Sequence, residues 1–188
     1  MRLFLAVDLP EELRDALSTC QERLRGTEPG WRWVRPEGVH VTLRFLGEVA
    51  ESRLQNLSAR WRAAAAAGVP AMLEAGGLGT FPPRGRPRVL WVGLRDCSEG
   101  SLAALAGDLE REARDAGFPA EERPFSPHLT LARAAADAAP RRPQAAVPAL
   151  GSFRAGELTL FRSVPGRGGA VYTALERYPI GRELGWGG

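Results

Sequence analysis

The sequence predicts an α+β protein built as a duplicated lobe, each copy a helix backing an antiparallel sheet, with two matching strands brought together at a pseudo-twofold cleft. Three observations predict it. Helix, loop and strand follow one another in the same order in both halves of the chain. Two near-identical tetrapeptides, His40-Val41-Thr42-Leu43 and His128-Leu129-Thr130-Leu131, open the last strand of each repeat and lie close to half of the 188-residue length apart. These tetrapeptides hold both histidines of the chain.

In order, Leu3 to Val7 reads as a buried strand. Pro10-Glu11-Glu12 then opens a helix, with proline in the first turn and acids at the positive end of the helix dipole. Leu13, Leu17 and Leu24 give that helix its apolar face, and Gly26 ends it. Trp31 and Trp33 alternate along a short extended piece, and Val39 to Leu46 forms the first motif strand, closed by Gly47. Ser52 to Ala67 carries Leu54, Leu57 and Trp61 at helical spacing and stops at Gly68-Val69-Pro70. Ala71 to Leu78 and Arg88 to Leu94 are strands joined by an Arg/Pro loop over 81–87. Ser98 to Ala116 is a third helix with Leu102, Leu105, Leu109 and Ala113 in one stripe, ended by Gly117. Pro124-Phe125-Ser126-Pro127 leads into the second motif strand, His128 to Ala132. Residues 134–148 read as an exposed Ala/Pro/Arg connector, and Ala155 to Arg162 with Ala170 to Glu176 as a hairpin. The whole reads as a single domain of two lobes.

Composition narrows the classes of function. An apolar fraction of 44% and a charged fraction of 25% are those of a soluble globular chain. All 25 basic residues are arginine, yet the net charge is only +3, too small for binding duplex DNA through charge alone. Cys20 and Cys97 are too few for a disulfide framework, and no Cys/His spacing resembles a zinc site. A reducing cytoplasm is the expected compartment, with no metal, no cofactor and no transmembrane segment called for. Nothing demands more than a monomer.

On a strand, side chains two apart share a face, so each motif presents an imidazole and a hydroxyl together while Val41, Leu43, Leu129 and Leu131 point to the core. Imidazole gives or takes a proton near neutral pH, and a hydroxyl donates to a phosphate oxygen. Two such strands side by side make a general acid, a general base and an anion cradle.

The paired stretches His40-Val41-Thr42-Leu43-Arg44-Phe45-Leu46-Gly47 and His128-Leu129-Thr130-Leu131-Ala132-Arg133 resemble the double His-x-Thr-x signature of the 2H phosphoesterases. Within that superfamily the chain is most similar to the RNA 2′,3′-cyclic phosphodiesterases, also called 2′-5′ RNA ligases. The opening Arg2-Leu3-Phe4-Leu5-Ala6-Val7-Asp8-Leu9-Pro10, with Phe81-Pro82 and Arg88-Val89-Leu90-Trp91, extends the resemblance over nearly the whole chain. It implies a bilobal fold in which two antiparallel sheets flank a central cleft with helices outside. It also implies metal-independent opening of a 2′,3′-cyclic phosphate at an RNA or oligonucleotide end to give a 2′-phosphate. His128 is expected to activate water and His40 to protonate the departing oxygen, with Thr42 and Thr130 donating to the non-bridging oxygens.

The resemblance also places an arginine at Arg133 near the phosphate. An offset of five from His128 puts that residue on the opposite face of a regular strand, so it contributes only if the strand has ended or bulges. Phe45 has the same odd offset from His40 and is a base-stacking or a core residue. Arg44 shares the face of Thr42 and is expected to reach the substrate backbone. Trp31, Trp33, Trp61 and Trp91 read as core or lobe-interface aromatics, Trp186 as a tail residue, and Glu121 and Glu122 as loop residues. Two other readings stay open: 2′-5′ ligation, which uses the same acid-base pair in reverse, and a non-catalytic module that binds RNA or nucleotide phosphate.

Overall fold

The computed structural model describes residues 1–135, 138–144, 146–166 and 169–181. Trp186 and the Arg167-Gly168 part of the expected hairpin turn lie outside them. The strands are β1 (Arg2–Val7), β2 (Trp31–Trp33), β3 (Val41–Glu48), β4 (Ala71–Phe81), β5 (Val89–Asp96), β6 (His128–Ala134), β7 (Gly151–Ala155), β8 (Glu157–Val164) and β9 (Val171–Pro179). The helices are α1 (Glu11–Arg25), α2 (Leu54–Ala67) and α3 (Ser101–Asp115). A 3₁₀ turn, Pro36–Gly38, precedes the first motif, and another, Glu51–Arg53, takes up the start of the expected second helix. Strand β7 is one that the sequence pattern does not predict. Its five residues follow the connector directly, and only Phe153 and Ala155 are buried, too short an alternation to register.

All pairings are antiparallel, in the order β7-β4-β5-β6-β3-β1-β8-β9, with β2 pairing β6 beside the end of β3. The two expected sheets are β3-β1-β8-β9 and β7-β4-β5-β6, and they share a seam of one residue pair, Val41 with Leu129. Because the motif strands diverge on either side of that pair, the sheet curls and opens a crevice along the seam.

The lobes are not sequential halves. Strands β8 and β9 return from the C-terminus to pair beside β1, and β4 belongs with β5 and β6. The helices cross as well. From α1, Gln21 donates to the carbonyl of Leu131 on β6, while α3 packs on β3 and holds its Arg44. A helix backing the sheet of its own repeat was expected; instead each of these two helices backs the motif strand of the other repeat. Apolar periodicity states which face of a helix is buried but not which of two similar sheets covers it.

The main core lies between the sheet and the helices. Leu13, Leu17, Cys20 and Leu24 of α1 enter it, as do Leu57 and Trp61 of α2 and Leu102, Leu105, Leu109 and Ala113 of α3. A second, smaller cluster sits on the opposite face of the first-lobe sheet: Phe4, Ala6 and Phe161, flanked by Tyr172 and Ala174. It forms one wall of the crevice.

Candidate active site

Each motif enters its strand from a constrained lead. Pro36–Gly38 turns the chain just before His40. Arg14 from α1 holds this turn, donating to the carbonyls of Pro36 at 2.9 Å and Val39 at 3.5 Å while ion-pairing with Asp8. His40 hydrogen-bonds the backbone of Gly38. In the second motif Nδ1 of His128 lies 2.7 Å from the carbonyl of Ser126. A carbonyl only accepts, so Nδ1 of His128 carries the proton and Nε2 is left as the exchanging atom. Both rings are thus tied to the residue two positions upstream.

Around the seam, Val41 and Leu129 are fully buried on the core side. The antiparallel register about this pair sets His40 across from Thr130 and Thr42 across from His128, with all four on the crevice face. All four are half-buried, a position between core and solvent from which a polar atom can meet a ligand.

The strands then bulge at matching places. Leu5 pairs with Arg44 but Ala6 with Thr42, so Leu43 is an inserted residue on β3; Leu90 pairs with Ala132 but Trp91 with Thr130, so Leu131 is inserted on β6. A bulge shifts the two-residue phase of side chains by one. Phe45 and Arg133 are therefore returned to the crevice face despite their odd offsets, and both are exposed, Phe45 by 50%. The carbonyl of Leu131 is satisfied by the Val34 N–H at 2.8 Å and Gln21 Nε2 at 3.1 Å, which explains why a glutamine is buried on the apolar face of α1.

The same phase shift overturns the expectation for Arg44. Its side chain turns away from Thr42 and into the protein, where it is 4% exposed. Its Nε lies 2.6 Å from Glu110 of α3, its Nη1 is 2.9 Å from Glu121, and it donates to the carbonyls of Pro119 and Phe45. With its Nη1 and Nη2 donors held by protein groups and its Nε set beside the Glu110 carboxylate, Arg44 joins β3 to α3 instead of facing the crevice. Glu121, read as a loop residue, is one of its partners.

Aromatic rings close around both imidazoles. Phe4 stacks on His40 at 4.6 Å, Phe161 stacks behind Phe4 at 5.3 Å, and Tyr172 meets His40 edge-on at 5.0 Å. Phe81 meets His128 edge-on at 5.0 Å, with Trp91 at 6.2 Å. Trp91 is therefore a wall of the crevice, not a core residue; its ring lies across Gly79, where an added Cβ would come within 2.1 Å of it. Trp31 and Trp61 are buried in the core as expected. Phe4 was invisible as a wall residue in the sequence because both faces of β1 are apolar past Arg2, and an all-apolar run does not say which face meets water.

The enclosure sets the electrostatics. Burial pushes the His40 imidazole down from the usual 6.5 to about 4, opposed by its bond to Gly38 and the charge of Asp8, and assisted by Arg14 and Arg133. Burial also lowers His128, against its bond to Ser126, with Arg133 again adding to the depression. Arg133 acts on both rings, so its charge sits within reach of each. At neutral pH both imidazoles are neutral in the free site.

Among the described residues, no group of three or more His, Cys, Asp or Glu side chains gathers where a metal ion would be held. Among the same residues no helix is long and apolar enough to cross a membrane.

Two paired imidazole-hydroxyl strands in a curled antiparallel α+β sheet define a phosphoesterase class, and the chain belongs to the family described as LigT like phosphoesterase, whose profile matches it twice, over residues 7–91 and 92–172. The RNA 2′,3′-cyclic phosphodiesterase of Thermus thermophilus is 38% identical over 192 residues, covering 98% of this chain and 93% of that protein. The Escherichia coli protein of the same name is 34% identical, covering 95% and 96%. A third of that name, from Geobacillus stearothermophilus, is 36% identical over 85% of this chain, which spans only 51% of that longer protein. Among solved structures, a Thermus thermophilus protein superposes with a TM-score of 0.84 at 36% identity, covering 97% of this chain and all of that one. Escherichia coli LigT complexed with 3′-AMP gives 0.77 at 32%, covering 95% and 97%. The chain is accordingly a hydrolase of this family.

Proposed function

We propose that the protein opens 2′,3′-cyclic phosphate ends of RNA to 2′-phosphates without a metal, using His40 and His128 as its acid-base pair. The observation that carries this reading is the crossed arrangement of the two histidines and two threonines about Val41 and Leu129. Phosphorus lies between the rings. A water oxygen attacks it as the water's proton passes to Nε2 of His128. The P–O3′ bond breaks, and His40 gives its proton to the departing O3′, leaving the phosphate on the 2′ oxygen. Thr42 and Thr130 donate to the non-bridging oxygens, and Arg133 supplies positive charge where negative charge builds. With the 5′-hydroxyl of a second strand in place of water, the same two proton transfers form the new P–O5′ bond as P–O3′ breaks and leave a 2′-5′ phosphodiester, so ligation shares the site. Escherichia coli LigT, crystallised with 3′-AMP, supports a nucleotide as the class of ligand. A cytoplasmic monomer is the form in which we expect the enzyme to work.

The assignment of His40 as the acid rests on Asp8, whose charge favours protonation of His40 and does not figure among the influences on His128. In the free site burial overrides it, so the proton reaches His40 together with the anionic substrate. A pH consequence follows with its sign. A base that must be neutral is already so at pH 7, whereas an acid that must be protonated is scarce and becomes scarcer as pH rises. We expect kcat/KM to fall about tenfold per unit between pH 6 and 8, and kcat, which reports the complex, to hold to higher pH. A kcat/KM that is flat or rising over that range removes the assignment.

The direct test is incubation in excess chelator with a short oligonucleotide ending in 2′,3′-cyclic phosphate, mapping the product by mass and phosphatase sensitivity. Conversion to a 2′-phosphate at an undiminished rate is expected. Loss of activity in chelator, restored by a divalent metal, would place the chemistry elsewhere. Binding without conversion would favour the sensing module.

A further inference from the structure

We infer that Arg32 and Arg133 form a second anion subsite, which grips the phosphodiester 5′ to the reacting nucleotide and makes an oligonucleotide end a better substrate than a cyclic mononucleotide. The inference rests on the activity proposed above and extends it to substrate class.

The pseudo-twofold relates Phe45 to Arg133. Each is the third residue after its threonine, and each is swung into the crevice by a bulge one residue past that threonine. Two equivalent positions of a duplicated site thus carry opposite chemistries, an aromatic ring at one end and a guanidinium at the other. A nucleotide held between them has a direction: its base has a stacking surface on the Phe45 side, and its chain of phosphates has charge on the Arg133 side.

Arg32 enlarges the basic end. In the antiparallel pair of β2 with β6 it is directly opposite Arg133, so the two side chains share a face, the crevice face. Its neighbours Trp31 and Trp33 point the other way; Trp31 is buried and Trp33 packs on the core. Arg32 and Arg133 are both exposed, and among the described residues neither side chain makes a hydrogen bond or ion pair, whereas Arg14, Arg44 and Arg142 are all anchored to carbonyls. Like charges directly opposite on a sheet repel and cost stability. Two unanchored guanidiniums in that relation, at the lip of a phosphate site, suit an anion bridging them. Arg133 is near enough to influence both histidines, while Arg32 figures among the influences on neither and lies across from Arg133 on β2, beside the end of β3.

The test compares two substrates: adenosine 2′,3′-cyclic phosphate, which has no 5′ phosphodiester, and a diadenylate ending in the same cyclic phosphate. In Arg32→Ala the ratio of kcat/KM for the dinucleotide over the mononucleotide should drop about tenfold, the worth of one charge-assisted contact. The loss should sit in KM, and Arg32→Lys should recover part of it. The plot of log KM against log salt for the dinucleotide should become shallower by about 0.7 in slope. An unchanged ratio, or equal losses on both substrates, overturns the subsite. If the wild-type protein opens neither substrate, the proposed activity fails instead. The subsite is then decided by affinity alone: wild-type preference for a diadenylate 2′-phosphate over adenosine 2′-phosphate supports it if Arg32→Ala loses that preference, and retention of the preference sinks it.

Discussion

Replacing either His40 or His128 by alanine is expected to lower turnover of a cyclic phosphate end by about a thousandfold or more, since a positioned acid or base contributes about 10²–10⁴. The double variant should be little worse than the poorer single one, because the two proton transfers belong to one concerted event and their losses do not add. The fold should survive both changes: the rings lie on the crevice face, outside the main core. His40→Ala carries its own structural readout. A histidine held near a pKa of about 4 in the folded chain protonates near 6.5 when unfolded, so protons favour unfolding. Its stabilising contribution is complete above about pH 6.5 and is lost as pH falls through about 4, amounting to about 3 kcal/mol at most. Denaturant melts at pH 7 and pH 4 should therefore show a smaller acid loss in His40→Ala than in the wild type. A variant that keeps near wild-type hydrolysis ends the acid-base scheme, whatever its stability.

The second large effect belongs to Arg44 and is one of stability. Arg44→Ala leaves Glu110 and Glu121 without their cation and the carbonyls of Pro119 and Phe45 without a donor. Removing one member of a buried ion pair costs about 3–5 kcal/mol, and the partial exposure of the two glutamates argues for the lower figure. For a chain of this size that corresponds to a fall in Tm of about 6–12 °C. Pairing Arg44→Met with Glu110→Leu should restore much of the loss, since an apolar replacement of both charges removes the stranded group. Measured well below its Tm, Arg44→Ala should keep a KM near that of the wild type. A normal Tm with a much weakened KM would return Arg44 to the substrate, as the alternation of a regular strand suggests.

Arg44, Phe45 and Arg133 mark where reading by periodicity stops. Alternation is a local rule, and it holds through His40-Val41-Thr42 and His128-Leu129-Thr130. One inserted residue, Leu43 or Leu131, reverses it for everything downstream. The insertion depends on what the neighbouring strand pairs with and on what satisfies the freed carbonyl, in one case Gln21 from a helix 110 residues away in sequence. Neither partner is visible in the tetrapeptide itself.

Residue type and short-range spacing were enough to single out the residues of the candidate site and the outline of its scaffold: both imidazole-hydroxyl pairs, the three helices with their apolar stripes, the strands that carry the motifs, and the internal repeat. These rules act within a few residues, so the chain read in order carries them. Long-range packing settles the rest. It selects which helix covers which motif strand, encloses His40 with Phe4, Phe161 and Tyr172 while Phe81 and Trp91 flank His128, and turns Arg44 inward while Arg133 and Arg32 meet at one lip of the crevice. Each of these depends on strand register and on partners far apart in the chain, where a shift of one residue moves a charge from one face of a sheet to the other.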